Sequence, residues 1–120
     1  MIKTWHKPKY FVIDEFVCKC GCGLGRRNDD LLPAALIMAL DAIRESIKMP
    51  VRVTSGWRCP EHNGKSGGVA ASKHLRGYAV DIAAQNYQAL VEASLKVASI
   101  YNLKTIQYNN RKFVHLEFRV

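Results

Sequence analysis

Little in this 120-residue sequence points toward a membrane, an export route or a repetitive architecture. No stretch approaches the roughly 20 consecutive apolar residues that a membrane span needs, and the opening MIKTWHKPKYFVIDEF lacks the uninterrupted apolar segment of a secretory signal. The expectation is a soluble chain made in the cytosol, with no membrane insertion. There is no internal repeat and no low-complexity tract, which removes solenoids and disordered tails and leaves one continuous domain over residues 1–120. Acidic residues are scarce: ten Asp and Glu face eighteen Lys and Arg, a formal net charge of +8. That imbalance steers the chain toward a polyanion, be it nucleic acid, membrane or cell wall. Charge alone would favour nucleic acid, because a basic surface is the footprint of phosphate binding. What is absent argues against it, since neither helix expected below is rich in Lys and Arg.

What is present suits a compact globular domain, with 48% hydrophobic and 23% charged residues. The first 28 residues read as an irregular wrap. Asp29 and Asp30 offer helix N-caps, and Leu32, Leu36, Leu40, Ile43 and Ile47 recur at helical spacing until Pro50. Val51 to Ser55 is a short β-branched strand ended by Gly56. Residues 56–77 are dense in Gly, Pro and polar residues and read as one long loop, the place to look for chemistry. Tyr78 to Ala83 alternates as a half-buried strand with Asp81 between Ala79 and Ala83 on one face. Asn86 caps a second helix with Leu90, Ala93, Val97 and Ile100 in its stripe. Leu103–Tyr108 and Arg111–Phe118 form a hairpin whose tight turn is Asn109-Asn110. On its second strand Val114, Leu116 and Phe118 share the core face, and Phe113, His115 and Glu117 the other. Strands and helices that do not alternate regularly predict an α+β fold: a small, mostly antiparallel sheet with helices packed on one face.

Four cysteines occur as Cys18-Lys19-Cys20-Gly21-Cys22 and a distant Cys59. Cysteines two apart bridge each other poorly. Three states stay open: a structural zinc on all four, a disulfide to Cys59, or the reduced thiols that a cytosolic origin favours.

A catalytic zinc wants three nitrogen or oxygen ligands and an open position. His74, at the mouth of the loop, Asp81 and His115 meet that need if their strands are neighbours. Taken one at a time, each has an ordinary reading as a hydrogen-bonded or solvated side chain. Their order carries more. Ser72-Lys73-His74-Leu75-Arg76-Gly77-Tyr78-Ala79-Val80-Asp81, followed by Phe113-Val114-His115, fits the pattern S-x-H-x-x-G-x-A-x-D with a later His. Ser55-Gly56-Trp57-Arg58-Cys59-Pro60 fits a Ser-Gly-aromatic-Arg-x-Pro segment. The sequence thereby resembles the M15 peptidases, the zinc D-alanyl-D-alanine carboxypeptidase and phage endolysin family, over about residues 11–118. The cysteine cluster resembles the lead of its small phage-type members.

The resemblance implies a D-Ala-D-Ala carboxypeptidase-like (hedgehog-like) fold with one catalytic zinc on His74, Asp81 and His115. It implies that Arg58 holds a substrate carboxylate or the developing oxyanion, and that Ser72 binds substrate or orients a ligand. The expected partner is a peptidoglycan stem peptide met by a monomer, at the cell wall, after phage-type release. One position departs from the family. Where several members carry an acidic general base, three residues before the last His, this chain has Lys112. Glu117 is the preferred substitute, on the strand face of His115, ahead of Glu61 and His62. Lys112 also sustains a reading in which fold and zinc persist without catalysis. The cysteines and charge sustain another, a zinc-ribbon-like nucleic-acid module that leaves the His and Asp pattern unexplained.

Overall fold

The computed structural model describes residues 7–27, 30–68 and 72–119. Four strands, β1 (Val51–Ser55), β2 (Ala79–Ala84), β3 (Leu103–Tyr108) and β4 (Phe113–Phe118), form one sheet in the order β1-β2-β4-β3, every pair antiparallel. Helices α1 (Ala34–Ile47) and α3 (Tyr87–Tyr101) pack on one face of it and on each other. Val53, Val80, Ile82, Val114 and Leu116 point from the sheet into the core, where Leu36, Leu40, Ile43, Leu90 and Val97 meet them. This is the expected α+β arrangement, and no helix among the described residues is long and apolar enough to cross a membrane.

Local corrections have physical causes. Asp29 lies outside the described residues, and Asp30 does not cap α1; Pro33 occupies the N-cap position. The Asp30 carboxylate instead accepts the backbone N–H groups of Gly25 and Arg27, at 2.8 and 3.1 Å, closing the loop before the helix. The helix ends before Pro50, at Lys48, a left-handed residue whose N–H reaches the Arg44 carbonyl. Asn86 does cap α3, accepting from Ala89 N–H at 3.0 Å. The hairpin turn is longer than expected: β4 begins at Phe113, and the residue with positive φ is Lys112, at 58°, rather than either asparagine.

The long loop is partly ordered into regular structure. Pro60–Lys65 forms the short helix α2, and Lys73–Arg76 a 3-10 turn. The 3-10 turn packs on β2 and α2 packs on that turn, and β2 is buried along its whole length instead of on one side. The N-terminal wrap holds on through Phe11, Phe16 and Val17, all buried, and through Asp41 of α1, which accepts from Lys9 N–H and Tyr10 N–H.

Candidate metal centre

The sheet register assembles the site. β2 and β4 are the two central strands, and Asp81 stands directly opposite His115 in their ladder. A β-bulge between Val53 and Ser55 lets both Thr54 and Ser55 face the Asp81 position of β2, turning the Ser55 side chain toward the site. Thr54 Oγ1 donates to the Asp81 carbonyl. Ala79 and Ala83, buried on either side of Asp81 on its face, are small enough to leave its carboxylate room.

His74 arrives from the other side. Ser72 Oγ accepts its backbone N–H at 3.3 Å and starts the 3-10 turn, and Gly77 ends it with φ of 73°. A Cβ on Gly77 would come within 2.4 Å of the Trp57 ring, so only glycine fits there. The turn drives the His74 ring into the interior, 1% exposed.

One nitrogen or oxygen from each of His74, Asp81 and His115 lies within 4.8 Å of the others. His74 Nδ1 donates to the Gly56 carbonyl at 2.7 Å, which turns Nε2 to Asp81 Oδ1, 3.2 Å away. His115 Nδ1 meets the same carboxylate oxygen at 2.8 Å, and its Nε2 meets Glu117 at 3.0 Å. An imidazole nitrogen with its partner N–H already spent, facing a carboxylate oxygen, calls for a proton or a cation between them. Two imidazoles and one carboxylate are the donor set of a catalytic zinc, and the Gly56 carbonyl and Glu117 supply the outer contacts that orient such ligands. The residues fit the ion.

Electrostatics agree with the geometry. Burial pushes the Asp81 carboxyl upward, but hydrogen bonds and charge from His115 and His74 overcome that and hold it down at about 2. Burial pulls the His115 imidazole down; Asp81 and Glu117 outweigh it and raise its pKa. The second Asp81 oxygen forms an ion pair with Arg58 Nη2 at 3.0 Å, both side chains nearly buried. Arg58 Nε donates to Ser55 Oγ at 2.8 Å and Nη1 to Asn63 Oδ1 at 3.2 Å. Three of its roughly five N–H donors are thus committed to the protein, in a frame around Asp81.

The site floors a two-lobed groove whose lobes, of about 410 and 640 Å³, share Arg58, Ser66, Asp81, Arg111 and Phe113. Besides Arg58, the walls carry Lys19, Arg52, Lys73, Lys104, Arg111 and Lys112, while Asp81 and Glu117 are the carboxylates among the described lining residues. Much of the net positive charge therefore has a place, around His74, Asp81 and His115. Ser72 lines one lobe and His62 the other; Glu61 is exposed, pairs with Lys65 at 3.3 Å and lines neither.

Sequence reasoning missed the Gly56 carbonyl, Ser55 and Asn63. Ser55 and Gly56 stand inside the Ser-Gly-aromatic-Arg segment, but neither a bulge nor a carbonyl acceptor leaves a mark in residue type. The walls at Lys104, Tyr108 and Arg111 come from β3 and its turn and were also unmarked.

The chain matches the peptidase M15 family model over residues 9–117. No curated protein matches it. Among solved structures, the crystal structure of the Serratia marcescens L-Ala D-Glu endopeptidase ChiX is similar, with a TM-score of 0.55 and 19% sequence identity. The match covers 73% of this chain and 80% of that one, a likeness of fold.

Proposed function

The chain belongs to the peptidase M15 family, and from that premise we propose that it is a zinc-dependent peptidase acting on the stem peptides of peptidoglycan. The observation that carries the reading is the convergence of His74, Asp81 and His115 at the floor of a basic groove. His74 through Nε2, Asp81 through Oδ1 and His115 through Nδ1 are the atoms offered to the ion. Zinc bound there would supply Lewis-acid polarisation of the scissile carbonyl and acidify an attacking water.

The chain's own residues do the rest. Asp81 is held by Arg58, so the carboxylate is oriented before any ion arrives and its charge is shared. Glu117 is the lining carboxylate not given to the ion; it takes the proton of the attacking water and returns it to the leaving amine. Its contact with His115 keeps that ring in place meanwhile. Arg58, Lys73, Lys104 and Arg111 line the groove with positive charge that suits a substrate carboxylate or developing oxyanion. Stem peptides rich in carboxylates fit that wall, which supports action at the cell wall; the proposal includes a monomer that reaches it after phage-type release. The ChiX likeness supports an endopeptidase geometry alongside the carboxypeptidase one.

The test is release of soluble peptides from purified peptidoglycan together with metal content, for wild type and His115→Ala. Zinc-dependent release lost by about 10³-fold or more in the variant is expected, a barrier change of about 4 kcal/mol, and fragment masses name the bond. Peptidoglycan left intact by the zinc-loaded wild type would sink the reading.

A further inference from the structure

A second cluster lies outside the groove's chemistry. The sulfurs of Cys18, Cys20, Cys22 and Cys59 all stand within 4.8 Å of one another. Cys18 Sγ is 3.4 Å from Cys20 Sγ, which is 3.6 Å from Cys59 Sγ. We propose that these four cysteines bind a structural zinc ion as a tetrathiolate, a site separate from the histidine–aspartate centre.

The spacing is what the ion requires. Tetrahedral zinc with Zn–S bonds of about 2.3 Å sets its sulfurs about 3.8 Å apart along each edge. A disulfide needs sulfurs at about 2.05 Å and would use one pair, leaving two thiols gathered for no purpose. Four sulfurs drawn from positions 41 residues apart are instead all brought to one point. The backbone is shaped for it. Gly21 and Gly23, with φ of 87° and 91°, follow Cys20 and Cys22 and turn the chain where a side chain would be strained. Cys18 Sγ accepts the Cys59 N–H, and Cys59 Sγ the His62 N–H, each at 3.4 Å.

The segment also has need of an anchor. From Lys19 to Cys22 the chain is exposed and without regular structure, yet it joins buried Val17 and Cys18 to the loop closed by Asp30. Cys59 follows Arg58, the residue that frames Asp81, and the preceding Trp57 N–H bonds the Phe16 carbonyl at 2.9 Å. An ion on the four sulfurs would clamp the N-terminal wrap onto the stretch from which Arg58 reaches the other centre.

The experiment is a zinc count on reduced, zinc-grown protein, with cobalt substitution of the metal-stripped wild type. Two zinc ions per chain are expected, falling to one in His115→Ala and to one in Cys20→Ser/Cys22→Ser. Cobalt should give the intense near-ultraviolet thiolate-to-metal absorption in wild type and in His115→Ala. Because the wild-type spectrum needs no substitution, a cysteine variant that fails to fold leaves the answer intact. Absence of that absorption in cobalt-loaded wild type, or a folded cysteine variant that keeps the full zinc count, overturns the proposal. A protein with the cobalt–thiolate band but no peptidase activity would retire the function proposed above and leave this site standing.

Discussion

The two candidate ligand clusters are of similar size and differently supported. His74, Asp81 and His115 are all buried, two on adjacent central strands and the third on a turn locked against Trp57. The Gly56 carbonyl, Glu117 and Arg58 already hold their free valences. Of the cysteines only Cys18 is buried, Cys59 is half-buried and Cys20 and Cys22 are exposed; three lie on a run without regular structure, with a few N–H contacts in place of a frame. A centre built on a rigid scaffold keeps its shape whether or not an ion is present; one built on loops relies on the ion for its shape. The first arrangement suits catalysis, where the ligands must stay put while substrates come and go. The second suits a staple.

That contrast can be sharpened by acting on the frame and the chemistry separately. The largest expected effect is on turnover: Glu117→Gln keeps the carbonyl contact to His115 and should retain the metal, yet lower kcat by about 10²–10⁴-fold if Glu117 moves the proton. Activity near wild type with metal retained would reduce Glu117 to an orienting contact. Next comes the frame itself. Arg58→Met removes the cation from a nearly buried carboxylate, and urea unfolding of the metal-stripped protein should show a loss of about 3 kcal/mol. A loss below about 1 kcal/mol would mean that the two histidines alone support Asp81.

The smallest effect is of pH on the same stripped protein. The Asp81 pKa is depressed to about 2 from an ordinary 3.8, so its contribution is present above about pH 4 and is lost as pH falls toward 2. At about 1.4 kcal/mol per unit the loss is roughly 2 kcal/mol. His115 works in the opposite sense. Its raised pKa stabilises the stripped fold below its ordinary 6.5, and that stability fades as pH climbs through the higher folded value. Thermal unfolding from pH 2 to 8 should therefore show a maximum between the two limits, flattened in Asp81→Asn.

Much of this was legible in the sequence because periodicity reports what a side chain faces. The stripe Leu36, Leu40, Ile43 and the alternation of Val114 and Leu116 marked the core, and the same alternation put His115 and Glu117 on the other side. The ligand set was legible only through its order along the chain, since a His or an Asp alone has too many ordinary uses. Contacts that depend on backbone path were hidden. The cover over β2, the bulge at Ser55 and the positive φ of Lys112 follow from tertiary packing, which overrides local preference. The meeting of Cys59 with Cys18-Lys19-Cys20-Gly21-Cys22 stood among the open sequence readings, but no spacing rule chose it over separate reduced thiols.

The direct pairing of Asp81 with His115 has one more consequence. A slip of one residue between β2 and β4 would carry His115 to the apolar face and separate the pair. Any ion that needs both side chains therefore binds a single alignment of the two strands and ignores every other. Its binding free energy is added to that alignment alone, so the ion would act as an arbiter among near-miss foldings of the sheet as well as a reagent.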